Sequence, residues 1–234
     1  VAKAEGGRAA GRLGQPATVR VEPGLAASTV PACAVAENAD LVVVGAQGEG
    51  SLRRYLIGST ASHLLRRSQC PVLVIKKAPR GAYRRVLIPV DFSPASALSI
   101  GLVREIAPTA HLLLLHVFEL PFEGMLQYAG VSADQLRRLR DEARERALRE
   151  LHTLAGEAGL ARNDYVAVVE HGDAMRHVLE QEAHARCDLI AMGKHGTHVT
   201  EELLLGSVSQ RVLSEAHADM LVVADRRGPA PTLA

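Results

Sequence analysis

Two glycine-spaced frames, separated by one fixed interval, constrain this chain more than any other feature. One reads Gly45-x2-Gly48-x9-Gly58-Ser59 and follows the apolar run Asp40 to Val44; the other reads Gly193-x2-Gly196-x9-Gly206-Ser207 and follows Cys187 to Met192. The offset is 148 at both ends, from 193 − 45 and from 206 − 58. It extends beyond the glycines: Val21 to Gly24 matches Val169 to Gly172, Asp40-Leu41 matches Asp188-Leu189, and Leu73-Val74 matches Leu221-Val222. The register holds without a gap from about Val21 to Ile75, so the chain contains an internal duplication.

Each frame joins a strand, a glycine-spaced loop and the start of a helix. Free backbone N–H groups and the positive end of the helix dipole converge at such a junction, which suits an anion. Glycines allow close backbone approach and positive φ where a turn needs it. The expected ligand therefore carries phosphate.

The second copy reads in full. Arg85 to Val90 is a short β-branched run and a buried strand, and Asp91-Phe92-Ser93 turns into a helix with Pro94 in its first turn and its end near Ala107. Ala110 to Phe118 is a central strand, Glu119 to Val131 a loop, and Ser132 opens a long helix with Gln135 completing a capping box. Leu136, Leu139, Ala143, Ala147, Leu151 and Leu154 form its apolar stripe. Strands follow at Tyr165 to Val169, Asp188 to Met192 and Met220 to Ala224, with helices at Asp173 to Ala185 and Ser207 to about His217. Alternating strands and helices imply a five-stranded, doubly wound parallel α/β sheet, which binds ligands beyond the carboxyl ends of its strands.

The first copy is shorter. With Gly45 aligned to Gly193, Val1 aligns to Arg149, so the equivalent of Arg85 to Leu148 is missing, 149 − 85 = 64 positions. What remains is a helix tail from Val1, a strand at Thr18 to Glu22, a helix, a strand at Asp40 to Val44, the loop, a helix and a strand at Val72 to Lys76. The expected domains are a truncated first copy over 1–78, a linker over 79–84, a complete second copy over 85–226, and a disordered tail over 227–234. The strand at Asp40 to Val44 is expected to leave an unpaired edge.

Composition excludes several classes. The net charge of +1 and the spread of Arg53-Arg54, Arg66-Arg67, Arg84-Arg85 and Arg137-Arg138 among acids read as solvated faces, not as a nucleic-acid footprint. No run approaches the ~18 apolar residues of a membrane span, and no signal peptide is visible. Three distant cysteines (Cys33, Cys70 and Cys187), with no CxxC, fit a reduced cytoplasmic setting. His195 and His198, near His184 and Cys187, lack metal-ligand spacing, so no metal centre is expected. Lys194 reads either as a phosphate neighbour or as a solvent-facing side chain, with Ala46 at the matching position. His116 reads as a satisfied rim histidine. No GxxxxGK[ST] loop, GxSxG, HExxH or kinase signature is present, so no catalytic residue is assigned and at most slow turnover of the ligand is expected.

These residues resemble the universal stress protein family in its tandem-domain form. The resemblance rests on the duplicated glycine frame, the opening Val86 to Ser93, the strand ending Leu115-His116-Val117 and the closing Cys70 to Ile75. It implies an adenine-nucleotide alpha hydrolase-like sheet of strand order 3-2-1-4-5, a tandem repeat whose copies pack through their fifth strands, and ATP as ligand, with Mg2+ as an optional companion. By the same resemblance Pro89, Val90, Asp91 and Val117 hold adenine and ribose and Met192 packs on the nucleoside. Gly193, His195, Gly196, Gly206, Ser207, Val208 and Ser209 surround the phosphates. Asp91 is expected away from the phosphate end, as a carboxylate repels phosphate but accepts from ribose hydroxyls. The first copy retains only a half-site, Gly45, Gly48, Gly58, Ser59 and Thr60, expected to bind nucleotide weakly or not at all. The implied role is regulatory and stress-responsive, with a homodimer left open and no nucleic-acid or membrane partner; a non-nucleotide interaction scaffold and a slow ATPase are the alternatives.

Overall fold

The computed structural model describes residues 18–47, 57–196 and 205–224. Among them, seven strands form one sheet: β1 (Val42–Gly45), β2 (Val72–Ile75), β3 (Arg85–Pro89), β4 (His111–Phe118), β5 (Tyr165–His171), β6 (Leu189–Gly193) and β7 (Asp219–Val223), in the order β1-β2-β7-β6-β3-β4-β5. The helices are α1 (Ala26–Ala36), α2 (Ser59–Arg67), α3 (Pro94–Ile106), α4 (Glu123–Tyr128), α5 (Ala133–Glu157), α6 (Ala174–Ala185) and α7 (Ser207–Glu215).

The five strands of the second copy are parallel and stand in the order 3-2-1-4-5, as a doubly wound α/β domain requires. The sheet does not stop at five. β2 adds to β7 antiparallel, through Val72↔Val222, Leu73↔Leu221 and Val74↔Met220, and β1 then adds to β2 in parallel. The join is buried on both faces. Leu73 and Leu221 pack with Ile100, Val103 and Leu151 under α3 and α5. Val72, Val74 and Val222 pack with Leu65, Val178 and Val212 under α2, α6 and α7. Each fully buried Leu or Val here contributes on the order of 1.5–3 kcal/mol.

Two aspartates organise the crossing from one copy to the other. The Asp219 carboxylate accepts from Lys76 N–H at 2.7 Å, Lys77 N–H at 3.3 Å and the Tyr83 hydroxyl at 2.8 Å. Asp188 accepts from the Arg84 and Arg85 N–H groups at 2.8 and 3.0 Å. The linker is thereby pinned to the amino-terminal ends of β7 and β6. Glu182, buried, accepts from the N–H groups of His217 and Ala218 at 2.7 and 2.6 Å and closes the turn into β7.

Several expectations need correction. Thr18 to Glu22 forms no strand. Its counterpart β5 pairs with β4, and among the described residues the first copy has no such neighbour for its backbone to join. The loop Glu119 to Val131 contains α4, fixed by Glu123, which accepts from Arg140 Nε at 2.8 Å and meets His171 Nε2 at 2.9 Å. In α5 the capping box of Ser132 and Gln135 forms, yet Leu139 is 41% exposed and the stripe continues through Ala155. The expected helix tail from Val1, the tail after 226 and Gly48 lie outside the described residues.

Lys76 Nζ reaches across the join to Leu213 O at 2.8 Å and Ala216 O at 2.7 Å, at the carboxyl end of α7. Burial lowers its pKa to about 8 from 10.5. A folded pKa below the unfolded one means that the unfolded chain holds the extra proton between these values. Stability should therefore rise from about pH 8 towards 10.5. The contribution between pH 7.5 and 10 is about 2 kcal/mol at ~1.4 kcal/mol per unit. Two groups oppose this: Cys187, whose thiol burial raises to about 11, from about pH 9, and Tyr83, whose pKa burial and Asp219 raise, above pH 10. Urea denaturation across that range should show the wild type gaining stability relative to Lys76→Met as the pH rises.

Candidate nucleotide site

The carboxyl ends of β3, β4 and β6 bring the expected residues of the second copy to one edge. Pro89 ends β3, Val117 lies near the end of β4, and Met192-Gly193 ends β6. Val90, just past β3, donates its N–H to Leu115 O at 2.8 Å and is buried, as is Met192. β3 and β6 are adjacent, β4 lies on the far side of β3, and β6 is followed by the loop.

Asp91 is held by its own turn. Its Oδ1 accepts from Ser93 N–H at 3.1 Å, Ser93 Oγ at 2.6 Å and Ser96 Oγ at 2.8 Å, which fastens the start of α3. Its Oδ2 faces Gly196, where a Cβ would stand 3.3 Å away. Among the described residues Oδ2 has no hydrogen-bond donor. The carboxylate is thus nearer the glycine loop than expected, because the serine clamp turns its second oxygen across the edge. The turn places Phe92 at φ +61, in the left-handed region that a bulky side chain rarely adopts. The Phe92 ring lies 4.4 Å from that of His116, whose Nδ1 is 2.8 Å from Val90 O. His116 is accordingly a satisfied rim residue. Phe92 was not singled out from sequence; nothing in an Asp-Phe-Ser-Pro run announces a positive φ at Phe.

The loop glycines are required by crowding and not by positive φ. A Cβ on Gly193 would lie 3.0 Å from Ala95 Cβ and 3.1 Å from His195 O; one on Gly206 would lie 3.3 Å from Lys194 O and 3.8 Å from Gly196 N. Gly206, the N-cap of α7 at φ −55, donates its N–H to Lys194 O at 2.9 Å, and Lys194 donates its own to Val223 O at 2.8 Å. With Gly206 so engaged, the N–H groups that helix geometry leaves over are those of Ser207, Val208 and Ser209. Ser207 is exposed and Val208 partly buried. The buried Ser209 hydroxyl donates to Gly193 O at 2.9 Å and braces the loop from below. His195 is partly buried beside it.

The same backbone pattern recurs in the first copy. Gly58 N–H donates to Ala46 O and Ala46 N–H to Ile75 O, both at 2.8 Å, each partner 148 positions before its counterpart. Gly58 caps α2, and Ser59 and Thr60 are exposed in its first turn. Gly45 is exposed on β1, the sheet's edge strand, with Val43 59% exposed. Nothing equivalent to Asp91 or Val117 stands beside this half-site among the described residues.

Lys194 departs from both of its readings. It is 5% exposed and donates from Nζ to Arg66 O at 2.5 Å, at the carboxyl end of α2. Cys187, beside β6, is buried, and burial pushes its thiol up to about 11, so it is protonated at neutral pH. Among the described residues no group of three or more His, Cys, Asp or Glu side chains is placed to hold a metal; His198 lies outside them. No described helix is long and apolar enough to cross a membrane.

Comparison with known proteins decides the family. The model of the universal stress protein family matches residues 2–76 and again 82–224. The chain belongs to the universal stress protein family. A universal stress protein of Mycobacterium tuberculosis is 30% identical over 192 residues, which are 80% of this chain and 63% of that protein. The chain thus spans less than two thirds of the length of these relatives. One from Methanocaldococcus jannaschii is 30% identical over 146 residues, 60% of this chain and 82% of its own. Among solved structures, a universal stress protein from Pseudomonas aeruginosa has the same fold, with a TM-score of 0.70 at 19% identity over 96% of this chain and 78% of its own.

The crowding at Gly193 predicts unequal costs for one substitution in the two copies. Gly193→Ala should destabilise by about 1–3 kcal/mol through overpacking against Ala95 and His195 O. Gly45→Ala, whose Cβ would meet Gln47 O at 3.4 Å among the described residues, should cost less. Urea midpoints of the two variants check this.

Proposed function

We propose that the second copy binds ATP in a regulatory role, without efficient turnover. The observation that carries this is the meeting of Asp91 Oδ2 with Gly196, beside the start of α7. A carboxylate whose first oxygen is clamped by serines offers its second to ribose hydroxyls. The N–H groups of Ser207, Val208 and Ser209 and the Ser207 hydroxyl offer donors to phosphate at a positive helix end. Pro89, Val90, Val117 and Met192 supply the apolar walls for adenine, and Gly193, His195, Gly196 and Gly206 shape the phosphate cradle.

The magnitudes are sufficient. Binding near ~10 μM needs about −7 kcal/mol, and each hydrogen bond to a charged group contributes ~1.5–3 kcal/mol. Mg2+ would arrive with the phosphates as an optional companion. No catalytic residue is assigned in this reading, because the sequence carries no hydrolase or kinase signature. The half-site of Gly45, Gly48, Gly58, Ser59 and Thr60 is read as weak or silent, since no ribose acceptor stands beside it among the described residues.

The test is nucleotide content. The purified chain is denatured and the released nucleotide is identified and counted, for the wild type and for Gly206→Glu, which sets a carboxylate at the phosphate position. About one ATP per chain, lost in the variant, is expected. Two per chain would overturn the silence of the first half-site. None, with no heat on titration with ATP, would favour an interaction scaffold.

A further inference from the structure

The device that would grip phosphate consists of the loop after β6 and the amino end of α7, and both parts are tied to the first copy. Lys194 lies inside the loop, between Gly193 and Gly196. Its carbonyl accepts from Gly206 N–H at 2.9 Å, its N–H donates to Val223 O at 2.8 Å, and its buried Nζ donates to Arg66 O at 2.5 Å. Arg66 O is one of the last carbonyls of α2, which a helix leaves without an internal partner. A lysine ammonium at that end also meets the negative pole of the helix dipole. At the other end of α7, Lys76 of the first copy donates to Leu213 O and Ala216 O. The nine residues of α7 are therefore held near both termini by contacts that lead to the first copy.

We infer that the first copy acts as a positioning element for the nucleotide site of the second, through Lys194 and its hold on the carboxyl end of α2. The inference rests on the proposed ATP site. Lys194 is a positioning residue here, because its ammonium points to Arg66 O across the join. A shift of α2 moves Nζ, the loop backbone follows, and Gly206 with the first N–H groups of α7 moves with the Lys194 carbonyl. The first copy has no matching side chain: Ala46 stands where Lys194 does, with the same backbone bonds and nothing to extend across the join. The dependence through this position therefore runs between one loop and one helix, and by linkage nucleotide binding must in turn stabilise the carboxyl end of α2.

Two variants of the full chain, Lys194→Met and Lys194→Arg, test this in two readouts. The first is affinity for ATP and for adenosine by calorimetry. The second is hydrogen exchange at the Leu64 to Ser68 amides, with and without ATP. The expected result is a fall in ATP affinity of about fivefold or more in Lys194→Met, adenosine affinity within about twofold, and substantial recovery in Lys194→Arg. ATP should slow exchange at the end of α2 in the wild type and not in Lys194→Met. Unchanged ATP affinity in Lys194→Met overturns the inference. So does a loss of affinity with α2 protection intact, which would make Lys194 a mere local charge. Both outcomes leave the ATP site standing. Absence of ATP binding by the wild type removes the site itself, and the inference with it.

Discussion

The pairing of β2 with β7 is the constraint on which the remaining structure depends. A short antiparallel ladder, Val72↔Val222 to Val74↔Met220, turns two α/β fragments into one sheet. Without it β1 and β2 would be two strands with nothing to add to, too few to hide their apolar faces from water. With it, Leu73 enters the layer under α3 and α5, while Val72 and Val74 enter the layer under α2, α6 and α7. The described strands of the first copy are folded because they share the core of the second. Asp219 adds to the same place by gathering Lys76, Lys77 and Tyr83, so the chain leaves β2 in a fixed direction.

The second copy was legible because each of its signals is local. β-branched runs, Pro94 in a first turn and the Ser132–Gln135 capping box all act within a few residues, and each appears where expected. The strand at Thr18 to Glu22 failed for the opposite reason. Its sequence matches β5, yet a strand exists only against a neighbour, and matching residues carry no information about whether the neighbour is present. α4 was hidden similarly: Pro121, Gly124 and Gly130 announce a loop, whereas Glu123 owes its position to Arg140 and His171, distant in the chain.

The candidate site divides along the same line. That its residues come to one sheet edge was legible, but not which partner each of them holds. Ser209 braces Gly193 O, Gly206 spends its N–H on Lys194 O, and the Asp91 carboxylate is split between a serine clamp and the glycine loop. Lys194 is the sharpest case. Neither reading of its charge, towards phosphate or towards water, included a helix end in the other copy, because that helix end reaches it only through the joined sheet.

In the β2–β7 ladder Leu73 stands opposite Leu221, its own equivalent 148 positions later, so the centre of the join lies on an approximate twofold axis. An isologous contact of this kind would serve equally well between two separate single-copy chains. There every substitution acts twice, once from each side, and a buried lysine that suits one side must suit both. Fusing the copies into one polypeptide removes that obligation. Ala46 and Lys194 are equivalent in backbone and unlike in reach, and Lys76 has Ala224 as its counterpart. Covalent linkage is what allows a symmetric join to acquire a direction.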